Sequence, residues 1–131
     1  MVLGRQGRNP MEELTPLVTS GELVAMQEEV ANTFVSQAVV KYIVSLVAAT
    51  RHHVSVARGG SPRATLSVTS VAKAVAQLRG RDYVVPKDVQ EVFLRTMGHR
   101  LLLTADAKAG GITEETVLQD VLNRVPTPKV R

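Results

Sequence analysis

The sequence predicts an all-α bundle of about five helices with at most short strands, and three observations carry that prediction. Apolar residues recur at intervals of three and four over several stretches, the spacing that lines one face of an α-helix. Helix-start punctuation precedes those stretches at Ser20, Ser36, Ser61-Pro62, Pro86 and Thr113. The chain is 44% hydrophobic but only 3% aromatic, so its interior must be built from Val, Leu and Ala. At 131 residues it has the length of one domain, long enough to bury a core.

Residues 1–20 read as a connector, with Gly4, Gly7, Pro10 and Pro16 spread through a polar stretch; Val2 to Gln6 is a candidate end of an earlier helix. From residue 21 to 131 the pattern is that of a helical domain. After Ser20, Leu23, Met26 and Val30 share one helix face. After Ser36, Val39, Tyr42, Ile43, Leu46, Val47 and Thr50 give a clean period of three and four. Gly59 and Gly60 interrupt, and Pro62 to Arg79 then aligns Val68, Val71, Ala72, Val75 and Leu78 as an inward stripe. Gly80 is placed to cap that helix at its C-terminus. Arg81 to Val85 is short and extended, because the residue before Pro86 is pushed out of the α region. Pro86 opens a helix whose buried stripe is Val89, Val92, Phe93, Thr96 and Met97. Leu101 to Thr104 fits either a brief strand or a continuing helix. Lys108 to Gly111 reads as a loop, and Thr113 caps a last helix with Val117, Leu118, Val121 and Leu122 inward. Pro126 and Pro128 close the fold in a tail.

Charge is unevenly distributed. Between Glu29 and Asp82 there is no acidic residue, whereas Lys41, Arg51, Arg58, Arg63, Lys73, Arg79 and Arg81 all fall there. A basic middle between mildly acidic flanks points to an anionic partner. One helix start stands out within it. Ser61 is a good N-cap and Pro62 suits the first helical position, but Arg63 puts a cation where the macrodipole favours anions. Glu22, Asp88, Glu114 and Glu115 place acids at other starts. A phosphate held jointly by the helix end and the Arg63 guanidinium would resolve the conflict.

Several chemistries are excluded or unsupported. No G-x-x-x-x-G-K-[ST] loop occurs, so the phosphate cradle of a nucleotide hydrolase is absent from these residues. There is no cysteine, which rules out disulfides and thiolate metal sites and fits a reducing cytoplasm. His52 and His53 are adjacent and point to different helix faces, and His99 stands alone, so no metal site is expected. Arg51 at the end of the second helix is explained by the dipole alone. No apolar stretch is long enough to span a bilayer.

Taken in order, Tyr42-Ile43-Val44, Leu46-Val47, Ala49-Thr50-Arg51, Gly60-Ser61-Pro62-Arg63-Ala64, Ala72-Lys73-Ala74, Gly80-Arg81-Asp82-Tyr83-Val84, Asp88-Val89 and His99-Arg100-Leu101 resemble the C-terminal helical lid of MoxR-type AAA+ ATPases. Asn9-Pro10 with Leu14, Pro16 and Val18 resembles the segment joining such a lid to its ATPase core. The resemblance implies a lid that closes over ATP and Mg bound mainly by a core outside this chain. It implies that Arg63 is the sensor 2 arginine, the residue that reaches the terminal phosphates and serves hydrolysis. Gly60 and Ser61 would line the nucleotide beside it. It also implies ring neighbours forming a homo-oligomer, and chaperone-like remodelling of protein clients that no residue here identifies. His99 and Arg100 would lie at a subunit or core-to-lid contact or cap their helix. Two departures stand out: Gly60 replaces a usual alanine, expected to loosen the loop, and Gly98 replaces a larger residue, expected to fray or bend its helix. The alternatives are a small basic helical domain binding nucleic acid, and a protein-interaction adaptor. Two Tyr, two Phe and no Trp leave few stacking platforms, so nucleic acid is not the expected partner.

Overall fold

Side-chain caps decide where most of the helices begin. The computed structural model describes residues 14–129; most of the expected connector, including Val2 to Gln6 and Asn9-Pro10, lies outside them. α1 (Ser20–Ala31) opens on Thr19 rather than Ser20. The Thr19 hydroxyl accepts the Glu22 N–H and the Glu22 carboxylate accepts the Thr19 N–H, both at 3.1 Å, so a capping box sets the start. α2 (Gln37–His52) opens on Ser36, whose hydroxyl accepts the Val39 N–H. α3 (Pro62–Leu78) has Ser61 at its N-cap with extended backbone, but the hydroxyl makes no cap bond. Pro62 has no N–H to donate, and Ala64 donates to the Ser61 carbonyl at 2.9 Å. α4 (Pro86–Met97) starts with the Asp88 carboxylate accepting the Val85 N–H at 2.9 Å. The Thr104 and Thr113 hydroxyls cap α5 (Ala105–Ala109) and α6 (Glu114–Arg124). Six α-helices therefore make up the bundle among the described residues. The addition to the expected number is α5, which occupies Lys108 and Ala109 where a loop was expected; Thr104, the cap immediately before the helix, is the sequence signal for it.

The core lies between α2, α3, α4 and α6. On α2 the buried residues are Val39, Tyr42, Ile43, Leu46, Val47 and Thr50, and on α4 they include Val89, Val92, Phe93, Thr96 and Met97, both as the periodicity predicts. On α3 the buried row is Ala64, Val68, Ala72 and Ala76: Val68 and Ala72 lie inward as expected, Val75 is half-buried, and Val71 and Leu78 do not join the stripe. Val71 is 41% exposed and Leu78 86%. A row of small residues every fourth position brings α3 close against α4, its most extensive neighbour, and Val71 falls at the edge of that contact. α1 buries none of its residues, and Leu23 and Met26 remain about half exposed. Polar bonds from α3 hold its C-terminus instead: the Lys73 ammonium donates to the Ala31 carbonyl at 3.1 Å, and the Gln77 amide to the Thr33 hydroxyl at 3.0 Å.

Three turns fix how the helices follow one another. Gly80 takes φ +75° after α3, with Arg81 N–H bonded to Ala76 O and Gly80 N–H to Gln77 O, a Schellman ending that only glycine adopts without strain. The extended segment beyond it pairs in parallel with Phe34. Before α3, strand β1 (Val56–Arg58) pairs antiparallel with β2 (Leu102–Leu103). The two possibilities left open for Leu101 to Thr104 resolve in sequence: α4 tightens into a 3₁₀ turn over Gly98–Arg100, and the strand follows. Gly98 marks the transition, as expected of a residue that favours a bend there.

A candidate anion-binding groove

The turn between β1 and α3 is packed against the end of α2 with little room to spare. A Cβ at Gly59 would stand 2.6 Å from the Arg51 backbone, and one at Gly60 would stand 2.5 Å from Met97 Cε and 2.9 Å from Val47 Cγ1. Glycine at 60 therefore permits a close approach rather than loosening the loop. Gly60 is itself buried: its N–H donates to the Thr50 hydroxyl at 2.9 Å, and its carbonyl accepts from the Arg51 guanidinium at 2.8 Å. With its N–H already engaged it has no donor left for a phosphate. Arg51 likewise does more than answer a dipole, since it ties the end of α2 to this turn. The consequence is a fixed start for α3.

Arg63 lies in the first turn of α3, exposed, and among the described residues it makes no ion pair or hydrogen bond. Ser61 beside it is exposed too, with its hydroxyl outside any cap bond. Arg63 opens onto a groove of about 600 Å³ between α3 and the end of α4, lined also by Ser67, Arg95, Thr96, His99 and Arg100. No carboxylate lines it. The Arg100 guanidinium donates through Nη2 to the Ser67 hydroxyl at 3.0 Å, while its Nε is enclosed and has no partner. Three guanidiniums and an imidazole thus converge without a counter-charge. In such a place an anion with several acceptor oxygens is the matching ligand. The basic middle segment foreshadowed Arg63, but Arg95 and Arg100 lie outside it and were not read as part of the same site. The signal available was spacing: Arg95 and His99 stand four apart where α4 ends.

At the other end of α3 the arginines are neutralised. Arg81 makes a bidentate pair with Asp88, at 2.6 and 2.8 Å, and Arg79 pairs with Glu91. Asp88 is fully buried. Burial alone would raise its pKa, but the Arg81 bonds and the Val85 N–H outweigh it and hold the carboxyl below the usual aspartate range. A further pair joins α2 to α6: His53 Nε2 lies 2.8 Å from Asp120 while its Nδ1 accepts the Ser55 N–H at 3.1 Å. Nδ1 is therefore the acceptor and Nε2 carries the proton toward Asp120. His53 and Arg124 together hold the Asp120 carboxyl below its ordinary value.

This bundle, with its basic groove at the head of one helix, is an AAA lid domain. Residues 48–121 match the family model for the AAA lid domain, and the chain belongs to that family. Its relatives include the Chaperone MoxR1 of Mycobacterium tuberculosis, 41% identical over 98% of this chain and 36% of the relative. YeaC of Bacillus subtilis is 36% identical over 94% of this chain and 38% of its own length. A crystal structure of a protein from Cytophaga hutchinsonii designated "putative ATPase" superposes with a TM-score of 0.86 at 29% identity. That match covers 97% of this chain and 41% of the other. The chain is thus MoxR-like and spans well under half the length of the relatives it matches. Among the described residues no helix is long and apolar enough to cross a membrane.

Proposed function

We propose that this chain is the lid of a MoxR-like AAA+ ATPase, closing over ATP carried by an ATPase core to which residues 1–20 connect it. One observation carries the reading: Arg63, exposed and without a protein counter-charge among the described residues, stands at the one α-helix start that has neither a side-chain cap nor an acid. Arg63 acts there as the sensor 2 arginine. Its planar guanidinium donates to oxygens of the terminal phosphate and stabilises the charge that develops as the bond to the γ-phosphate breaks. The Arg63 N–H, left free where Pro62 has no donor and Ala64 bonds the Ser61 carbonyl, and the Ser61 hydroxyl lie beside the same oxygens. Loss of the γ-phosphate weakens the contact and releases the lid, coupling hydrolysis to rotation. Gly60 serves by position, holding the turn from which Arg63 projects. Among the described residues no three carboxylate or imidazole groups converge, so Mg²⁺ belongs to the core. Ring neighbours, chaperone-like work on protein clients and a cytoplasmic setting complete the proposal; the first rests on the family resemblance, the second on the name of the relative Chaperone MoxR1, and the third fits a chain without cysteine.

The test is Arg63→Ala in the ATPase that contains this lid. Turnover is expected to fall by roughly 10²-fold, the scale of losing one donor aimed at developing charge, with a smaller change in ATP affinity. Arg63→Lys should recover only part of the loss, because an ammonium lacks the planar fork. Unchanged turnover in Arg63→Ala would remove that residue from the mechanism. The 131-residue chain by itself is expected to bind ATP weakly, and submicromolar affinity would contradict the division of labour between lid and core.

A further inference from the structure

The phosphate reading of Arg63 leaves the rest of the groove unexplained, and Arg100 is its least explained member. A guanidinium carries five N–H donors. In Arg100 one guanidinium nitrogen meets the Ser67 hydroxyl, and the enclosed Nε meets nothing. A hydroxyl orients a guanidinium without neutralising it. Elsewhere in the fold the partly buried arginine is treated differently: Arg81 is matched by the carboxylate of Asp88. Ser67 lies one turn along α3 from Arg63, so the two share a face with Cβ atoms about 5–6 Å apart. Arg100 therefore reaches the same groove as Arg63 from a different element, its tip held at Ser67, one helical turn along α3 from Arg63.

We infer that Arg100, oriented by Ser67, is a second anion-reading side chain, and that it and Arg63 take neighbouring phosphoryl groups of one polyphosphate chain. This rests on the phosphate reading of Arg63 and extends it. Arg63 alone would grip one terminal phosphate. Two guanidiniums in one groove grip a chain of phosphates, and no lining carboxylate competes for either. Ser67 is a positioning residue: it sets where the Arg100 fork points and does not itself need to touch the ligand.

The experiment follows the arginine Nε–Hε resonances of this chain by NMR while tripolyphosphate, or orthophosphate as the single-phosphate probe, is added at matched ionic strength. The expected result is that Arg63 and Arg100 shift together along one saturation curve while Arg58 and Arg124 stay in place. Tripolyphosphate should bind at least tenfold more tightly than orthophosphate. Ser67→Ala should weaken tripolyphosphate at least threefold with the melting temperature unchanged, and Ser67→Thr, which keeps the hydroxyl, should restore it. If Arg63 alone responds, or the two probes bind equally, the second seat is overturned and the Arg63 reading stands. A response at Arg100 without Arg63 overturns both the pair and the role given to Arg63. No response at either, or a shift shared equally with Arg58, overturns the pair, and the role of Arg63 is then decided by turnover of Arg63→Ala in the ATPase that contains this lid.

Discussion

The two ends of α3 handle the same side chain in opposite ways. At its C-terminus Arg79 and Arg81 meet Glu91 and Asp88, and the charges are used up inside the fold. At its N-terminus Arg63, with Arg95 and Arg100 across the groove, meets no carboxylate among the described residues. Composition cannot tell these ends apart, since both lie in or beside one basic stretch. What separates them is whether a neighbouring element brings an acid: α4 presents Asp88 and Glu91 to one end and Arg95 and His99 to the other. An arginine matched by the fold stabilises it, and an unmatched one is available to a ligand. Breaking each end should therefore have different consequences.

The largest expected effect is at the matched end. Arg81→Ala leaves Asp88 fully buried with its charge uncompensated, and breaking such a pair costs about 3 kcal/mol, the lower end for a partner that is itself partly exposed. Thermal or urea unfolding checks this. The pH dependence sharpens it. The native Asp88 carboxyl sits below its ordinary range, so its stabilising contribution is complete above about pH 4, the unfolded aspartate value, and fades as pH falls through the lowered native one. In Arg81→Ala the lone buried carboxyl rises instead and takes up a proton. The stability gap between variant and parent should thus narrow as the solution is acidified from pH 7 to pH 4. A gap that stays constant would show that the pair contributes by packing and not by charge.

A middle-sized effect tests what fixes the unmatched end. Gly59→Ala places a methyl 2.6 Å from backbone atoms of Arg51, which cannot yield as a side-chain tip would. About 2 kcal/mol of destabilisation is expected, with the Gly60 bonds to Thr50 and Arg51 disturbed in step. Chemical-shift changes confined to Gly59 and sparing Arg63 would mean that the turn does not position the groove.

Much of this was legible in the sequence, for identifiable reasons. The faces of α2 and α4 were readable because each buries a broad apolar stripe, and periodicity reports that directly. The face of α3 was readable only in part: Val68 and Ala72 are buried as the spacing predicts, but the rest of the buried row is alanine, and Val71 and Leu78, which looked more apolar, lie outside the contact. α1 misled in the opposite direction, with a periodic face of which only Val30 is partly covered among the described residues. The N-cap at Ser61 failed for a local reason, the Ala64 N–H having turned to the Ser61 carbonyl. The basic middle segment was visible, but its meaning required partners from afar. Lys73 serves the end of α1, Arg51 serves Gly60, and Arg79 and Arg81 serve α4. Lys41, Arg58 and Arg63 remained; of these only Arg63 lines the groove, and the two arginines that join it come from beyond that segment.

The smallest effect is the most discriminating. Arg63→Ala should leave the stability of this chain within about 1 kcal/mol of the parent, and on the favourable side at low salt. A cation in the first turn opposes the helix dipole at a cost of about 0.3–1 kcal/mol, and nearby Arg95 and Arg100 add repulsion. Removing it relieves both, and the gain should shrink as salt screens the groove. Arg81→Ala and Arg63→Ala, on one helix, would then move the melting temperature in opposite directions. A loss above 1 kcal/mol in Arg63→Ala would mean that the fold does supply Arg63 with a partner, and the distinction between the two ends would collapse.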